Sequence, residues 1–522
     1  MYSLDIYKEP FWAENSGFKT GIDPLGIQNS SFAVYSRLLS GMTNQTSRIR
    51  YYGFYCWLLN EYDKLDKKYK KSNSDQYNFI RRSELLLAFL MHNNFTEENS
   101  IVGSLYVSQN NDLFIQNNYY DLSDGADNPE KGQDKTVYWQ YRSGALGQYY
   151  AGALISLRLI EIIDKYFHIL NSGKELADYF KNNISDKAAK LFIQIILSGK
   201  VRLNQLNDLE EFAINRIQKR TKEWKFYVNL LLNNDGDGNK QLSGNIPSYR
   251  KETIKYYLEF LDRTSNQSDF TEFHYSLNHT KKTNDASFGW YYYDLIEMLH
   301  YSIESLFWSM LVNLDGKITP VDEYMNYLTE LILKNFNQVF KKVDNLSLNQ
   351  VLDKMIFKSN GVLEQFSQLT KLVKSTDNSE DVLSLTFTII LELYIKNEPH
   401  LENLKQFETL NLINDKNGNV SQIFENFITH YKELTFDKYV KNVIRKVIND
   451  HITTAYRKMG NSESNLLKFI IEDNNIIHIQ TMDPSFTSPR IGTLLKFLED
   501  LGFIENNTLT KDGFSLLNEI TT

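Results

Sequence analysis

The chain has almost no cysteine, little proline and no long apolar run. Of 522 residues only Cys56 carries a thiol, inside the apolar stretch FYCWLL. A single thiol forms no intrachain disulfide and no thiolate metal cluster, and it suits a reducing compartment. Its expected role is that of a small buried hydrophobe. Proline numbers 8, so helix interiors are seldom broken and long helices are expected. No window approaches the ~18 uninterrupted apolar residues of a membrane helix, and the start MYSLDIYKEPFW has no apolar segment of the kind a secretory signal carries. A cytoplasmic protein with no membrane partner is expected. The net charge of −8 supplies no global basic field, so any nucleic-acid contact must be a local patch. Phosphate-binding loops, a dinucleotide fingerprint and a nucleophile elbow are also missing. No cofactor is expected, and the balance favours a non-enzymatic role.

Among the stretches that are present, LLSGMTNQTSRIRYYGFYCWLLNEY, from Leu38 to Tyr62, is the densest. Ile49, Tyr52, Cys56, Leu59 and Tyr62 recur at three- and four-residue steps and predict one buried helical stripe, with a start at Thr43 to Ser47. Arg48 and Arg50 then stand off that stripe near a helix start, where the dipole disfavours cations. Their charge must be offset by a carboxylate elsewhere in the fold, by an external phosphate or by solvent. A short helix near Ser31 to Leu39 precedes this stretch, and a further helix begins at Arg81. The polar, turn-rich residues from Leu113 to Lys135 read as a loop.

Two segments share one plan. In the first, a helix from about Ser143 to Leu157 leads to the strand-prone LRLIEI; a turn at Asp164 to Tyr166 returns through FHIL, and a helix follows near Gly173. In the second, a helix from about Ser488 to Leu501 leads to a strand at Gly502 to Glu505, a turn at Asn506 and Asn507, a strand at Thr508 to Thr510, and a helix from Asp512. Between them the chain reads as helical, with strongly apolar stretches WYYYDLIEMLHYSIESLFWSMLVNL and LTFTIILELYIKN. The predicted fold class is mainly α, a multi-lobed helical protein with two small α+β modules. The predicted domains are an N-terminal helical region over 1–120, a module over 136–182, a central helical domain over 183–460 and a C-terminal module over 461–522.

With Leu498, Leu501, Gly502, Ile504, Leu509, Thr510 and Gly513 in place, the C-terminal segment resembles winged-helix domains. The earlier segment resembles them too, departing at Arg158, where glycine is usual, and at Asn171, where threonine is usual. This resemblance implies that the helix of the C-terminal module presents Ser488, Arg490, Thr493 and Lys496 to duplex DNA. Asn506 and Asn507 would lie in the wing and Lys511 just after it. LLSGMTNQTSRIRYYGFYCWLL, HITTAYRKM and DPSFTSPRIGTLLKFLEDLGFI together resemble bacterial proteins found beside phage-defence genes. That likeness implies only a setting in antiviral defence; taken with the winged-helix resemblance, the expected role is a non-enzymatic DNA-interacting or adaptor subunit with a protein partner encoded nearby.

Several other constellations compete with this reading. Arg445 and His451 stand six residues apart, a spacing similar to the active-site motif of helical HEPN ribonucleases. There the histidine handles a proton and the arginine the phosphate charge; the bland alternative is an amphipathic helix. Glu297 and His300 form an E-x-x-H pair on one helical face, with Glu304 four residues further on, a spacing that could offer a metal a carboxylate and an imidazole. A second such helix is missing, so a buried, hydrogen-bonded histidine is expected and no metal. Asn233, Asp235, Asp237 and Gly238 copy half a calcium loop, but Gly244 stands where its glutamate belongs. His274 and His279 are five apart, about 140° around a helix and poorly placed as joint ligands.

Overall fold

The structure is a computed structural model that describes residues 23–95, 101–127, 137–232, 249–263, 285–356, 361–375, 379–411, 413, 418–459 and 466–521. The half calcium loop, His274 and His279 lie outside the described residues. Most of the described chain is helical, with a few short antiparallel strand pairs. The described chain divides into two units, neither continuous in sequence. The described parts of Met1–Tyr35 and Asp269–Thr487 make one, and those of Ser36–Ser268 and Ser488–Thr522 make the other.

In the unit of Ser36–Ser268 and Ser488–Thr522, the Arg50–Lys64 helix is the core element. It begins at Arg50 rather than near Thr43, because the preceding residues form turns, with the Thr46 amide donating to the Thr43 carbonyl. Its predicted stripe is buried, and so are Tyr51, Phe54, Tyr55 and Trp57 on its other sides. Trp57 packs against Phe180, Phe192 and Phe212. The neighbouring Asn73–Asn94 helix sends two charges into the interior. Buried Arg81 donates to the carbonyls of Ala126, Trp139 and Tyr141. Buried Glu84 accepts from the Tyr55 and Tyr138 hydroxyls and the Ala145 and Leu146 amides. Those full hydrogen-bond complements make charge burial tolerable.

In the described part of the stretch expected as a loop, Leu113 to Asp127, the chain forms regular structure. The Ser104–Asn117 helix runs into it, Asn118 takes a left-handed conformation (φ 53°), and Tyr119–Asp121 pairs with Lys200–Arg202. Asp121 then caps the short Leu122–Ala126 helix through the Ser123 amide. Polar composition hid a helix end, a strand and a cap, each built from those same polar residues.

In the unit of Met1–Tyr35 and Asp269–Thr487, the Ala286–Leu314 helix is buried along almost its whole length, packed against the Ser379–Asn397 helix. Asp285 caps it by accepting from the Ser287 amide. The Val321–Phe340 and Phe436–Met459 helices pack on each other. An unforeseen three-stranded sheet joins Ile318–Pro320, in the region read as helical, to Asn475–His478 and then Phe469–Glu472, at the start of the predicted C-terminal module.

Candidate nucleic-acid interface

The two segments that share a plan also share a backbone. Each has a helix, Ala151–Ser156 or Ile491–Asp500, then a two-stranded hairpin, then a helix, Asn171–Lys181 or Lys511–Thr521. The Leu159 amide donates to the Leu154 carbonyl at 2.9 Å, as Phe503 does to Leu498 at 2.9 Å. The Leu170 amide returns to Leu159 as Thr510 returns to Phe503. Arg158 and Gly502 both take positive φ, 53° and 76°. A Cβ on Gly173 would meet the Leu159 carbonyl oxygen at 2.1 Å, and one on Gly513 would meet that of Phe503 at 2.1 Å. Glycine is required at both positions because a helix crosses a backbone carbonyl there.

Each hairpin turns on two residues of positive φ: Asp164 and Lys165, and Asn506 and Asn507, the two-residue loop that matches strand twist. The hairpins differ in reach. The first pairs Ile160–Ile163 with Tyr166–Ile169, and the second only Ile504–Glu505 with Thr508–Leu509.

The expected DNA-contacting residues divide into two groups. Arg490 donates to the Leu39 carbonyl at 3.1 Å. Thr493 is buried and donates to the Thr43 carbonyl at 2.9 Å, and the Ser488 carbonyl accepts from the Asn44 amide group at 2.8 Å. This part of the Ile491–Asp500 helix faces its own unit, so the outward placement expected for Arg490 and Thr493 is corrected. Lys496 is half-buried, whereas Asn506, Asn507 and Lys511 are exposed.

The same helix end answers the question of the two arginines. Arg48 forms a paired contact with Asp500, Nη2 to Oδ1 at 2.8 Å and Nε to Oδ2 at 3.2 Å, and the Ile49 amide donates to Oδ2 as well. Burial lifts Asp500 to about 6, with Arg48 and the Ile49 amide opposing, so it is ionised at neutral pH. Arg50 is buried, bonded to Glu223 at 3.1 Å and to the Glu211 and Ala213 carbonyls. Both guanidinium groups are held by carboxylates elsewhere in the fold, and neither is placed as a phosphate contact.

Sequence reasoning passed over RIQKRTKEWK, residues 216–225, where Arg216, Lys219, Arg220, Lys222 and Lys225 crowd ten positions. All five are exposed, while the one acid among them, Glu223, is buried. Lys219 donates to Asp512 at 2.8 Å and lies against the Gly502 carbonyl, beside the hairpin. Trp224 donates to the Leu501 carbonyl at 3.0 Å and packs on Phe503. A groove of about 300 Å³ runs here, lined by Lys219, Arg220 and Lys225 on one side and Asp512 and Glu519 on the other. Charge density within a ten-residue window was the available signal. A larger polar cleft, about 770 Å³, is lined by Arg216 and holds two ion pairs, Lys187 with Asp208 and Arg216 with Glu210.

His451 lies inside the Phe436–Met459 helix and is buried. Its Nδ1 bonds to the Pro24 carbonyl at 3.0 Å and its Nε2 accepts from the Lys468 amide at 3.0 Å. Burial lowers its pKa to about 4. Arg445 is about 120° away around the helix. With both ring nitrogens engaged in holding backbone, a proton-handling role at His451 is without support.

Glu297, His300 and Glu304 do come together, with no metal geometry. His300 Nε2 lies 2.9 Å from Glu304 and Nδ1 3.8 Å from Glu297. Gln28 donates to Glu304 at 3.1 Å, the Ser485 amide to Glu304 at 3.0 Å and the Thr487 amide to Glu297 at 2.8 Å. Among the described residues no group of three or more histidine, cysteine or acidic side chains could hold a metal ion, and no helix is long and apolar enough to cross a membrane. No protein-family model, no curated protein and no solved structure matches this chain.

Proposed function

We propose that the chain is a non-enzymatic subunit that interacts with duplex DNA and works beside a protein partner encoded nearby, in bacterial antiviral defence. One observation carries the DNA part: the C-terminal hairpin presents exposed Asn506 and Asn507 at its tip, with exposed Lys511 immediately after it. Amide side chains and a lysine are donors suited to phosphate oxygens and groove edges. Arg490 and Thr493 are committed to their own unit, so the interaction rests on backbone contacts and the wing-like tip, with little base reading. The defence setting and the partner rest on the resemblance in sequence.

The test is duplex DNA binding by the intact chain at low and rising salt. Binding that weakens with salt and is reduced several-fold in Lys511→Ala and in Asn506→Ala/Asn507→Ala supports the reading. No binding at low salt sinks the DNA part; a stable complex with a neighbouring gene's product would then leave an adaptor.

A further inference from the structure

We propose a second nucleic-acid contact site on the same unit, in which Arg220, Lys222 and Lys225 grip phosphates of the duplex whose adjoining turn meets the hairpin tip. This inference rests on the DNA reading above and adds to it a site that faces away from base edges.

The first argument is charge. In a chain of net charge −8, five cations in ten residues are a local reversal of sign. The acid that would temper them, Glu223, points inward to Arg50 at 3.1 Å. Asp512 is met by Lys219 at 2.8 Å, and Glu519 is the groove's other acid, against the three cations Lys219, Arg220 and Lys225. A phosphate backbone is the macromolecular surface whose charge complements such a run.

The second argument is placement. Lys219 reaches both the Gly502 carbonyl, at 3.4 Å, and Asp512, the neighbour of Lys511. Trp224 is tied to Leu501. The run is therefore packed against the two ends of the hairpin, and Arg220 and Lys225 line one groove with Asp512, the neighbour of Lys511 in the chain. Thr221 fixes the start of the Lys222–Leu232 helix by accepting from the Trp224 amide at 3.2 Å, which sets where Lys222 and Lys225 emerge.

The third argument separates duplex from single strand. Binding unstacked bases needs an aromatic face to stack on. Trp224 spends its indole N–H on Leu501 and packs its ring 5.6 Å from Phe503, and the Tyr179 ring already lies under Lys222, 5.6 Å from its ammonium. What the run offers is ammonium and guanidinium groups, the chemistry of phosphate contact.

The experiment is fluorescence anisotropy of the intact chain with a labelled duplex across a salt series. Arg220→Ala/Lys225→Ala is expected to reduce the slope of log K against log salt by about 1.8, at about 0.9 for each phosphate that is no longer neutralised. Lys67→Ala/Lys68→Ala, an equal change of charge at exposed positions outside the run, is expected to leave it unchanged. Both pairs are surface residues, and unchanged thermal unfolding confirms the fold. An unaltered slope in Arg220→Ala/Lys225→Ala, or an equal change in the control, overturns the second site while Lys511→Ala still reports on the first. A chain that binds no duplex, or that holds only an acidic protein through this run, overturns both.

Discussion

His300 and His451 lie in the same unit, both with no exposed surface, yet at neutral pH one ring is a cation and the other is neutral. At His300, burial works against the imidazolium, but the Glu297 and Glu304 carboxylates, 3.8 and 2.9 Å from its ring nitrogens, outweigh it and raise the pKa to about 10. At His451 burial is opposed only by the bond to the Pro24 carbonyl, which does not outweigh it. One ring nitrogen faces an N–H donor, that of Lys468, which a protonated ring could not accept, and the pKa falls to about 4. Depth of burial alone therefore does not fix the charge of a histidine. The partners at its two nitrogens do.

The comparison is broken most strongly at Glu304. Glu304→Gln leaves a buried imidazolium with one carboxylate in place of two, and a loss of about 3–5 kcal/mol in chemical denaturation is expected. Because the folded pKa of His300 lies above the unfolded value, its contribution is fully present below about pH 6.5 and is lost as pH rises through about 10. The alkaline fall in stability should flatten in Glu304→Gln; a fall as steep as that of the parent protein would refute the assignment.

The effect at His451 is smaller and has the opposite sign. Its folded pKa is depressed, so its contribution is present above about pH 6.5 and is lost as pH drops towards about 4, where the unfolded chain takes up a proton that the folded one refuses. The full effect is on the order of 3 kcal/mol. His451→Asn should remove this acid limb in unfolding midpoints measured from pH 7 to 4, leaving the alkaline limb intact. Two histidine signals titrating together near pH 6.5 by NMR would dissolve the contrast. Least of all, Tyr293→Phe, which removes a hydroxyl 3.0 Å from that of Thr487, should cost about 1 kcal/mol and move neither limb.

Legibility followed range along the chain. The hairpins at Ile160–Ile169 and Ile504–Leu509 could be read because their turn residues and flanking apolar pairs are neighbours in sequence. The hairpin of Phe469–His478 was overlooked although Asp473 and Asn474 turn it with the same positive φ. Its third strand, Ile318–Pro320, lies far upstream, and strand pairing across such a gap leaves no local period to read. The same distance hid the carboxylates that meet Arg48 and Arg50, since Asp500 and Glu223 share no helix face with them. Glu297, His300 and Glu304 were visible as one face. The groups that hydrogen-bond to that face, Gln28, Ser485 and Thr487, were not. For DNA contact, the tip residues were found from turn chemistry, whereas the cations of 216–225 needed a charge count that secondary-structure reading does not make.

Because Ser36–Ser268 and Ser488–Thr522 complete one unit, the order of synthesis matters. A nascent chain displays Tyr52 and Arg48 well before the ribosome has made Phe497 and Asp500, their eventual neighbours, and all of Asp269–Thr487 is translated in between. During that interval an aromatic surface and a guanidinium group wait uncovered, the condition under which nascent chains aggregate or recruit chaperones. A ribosome stalled anywhere before Ser488 would leave the unit without its closing segment, so in the cell this unit is finished late.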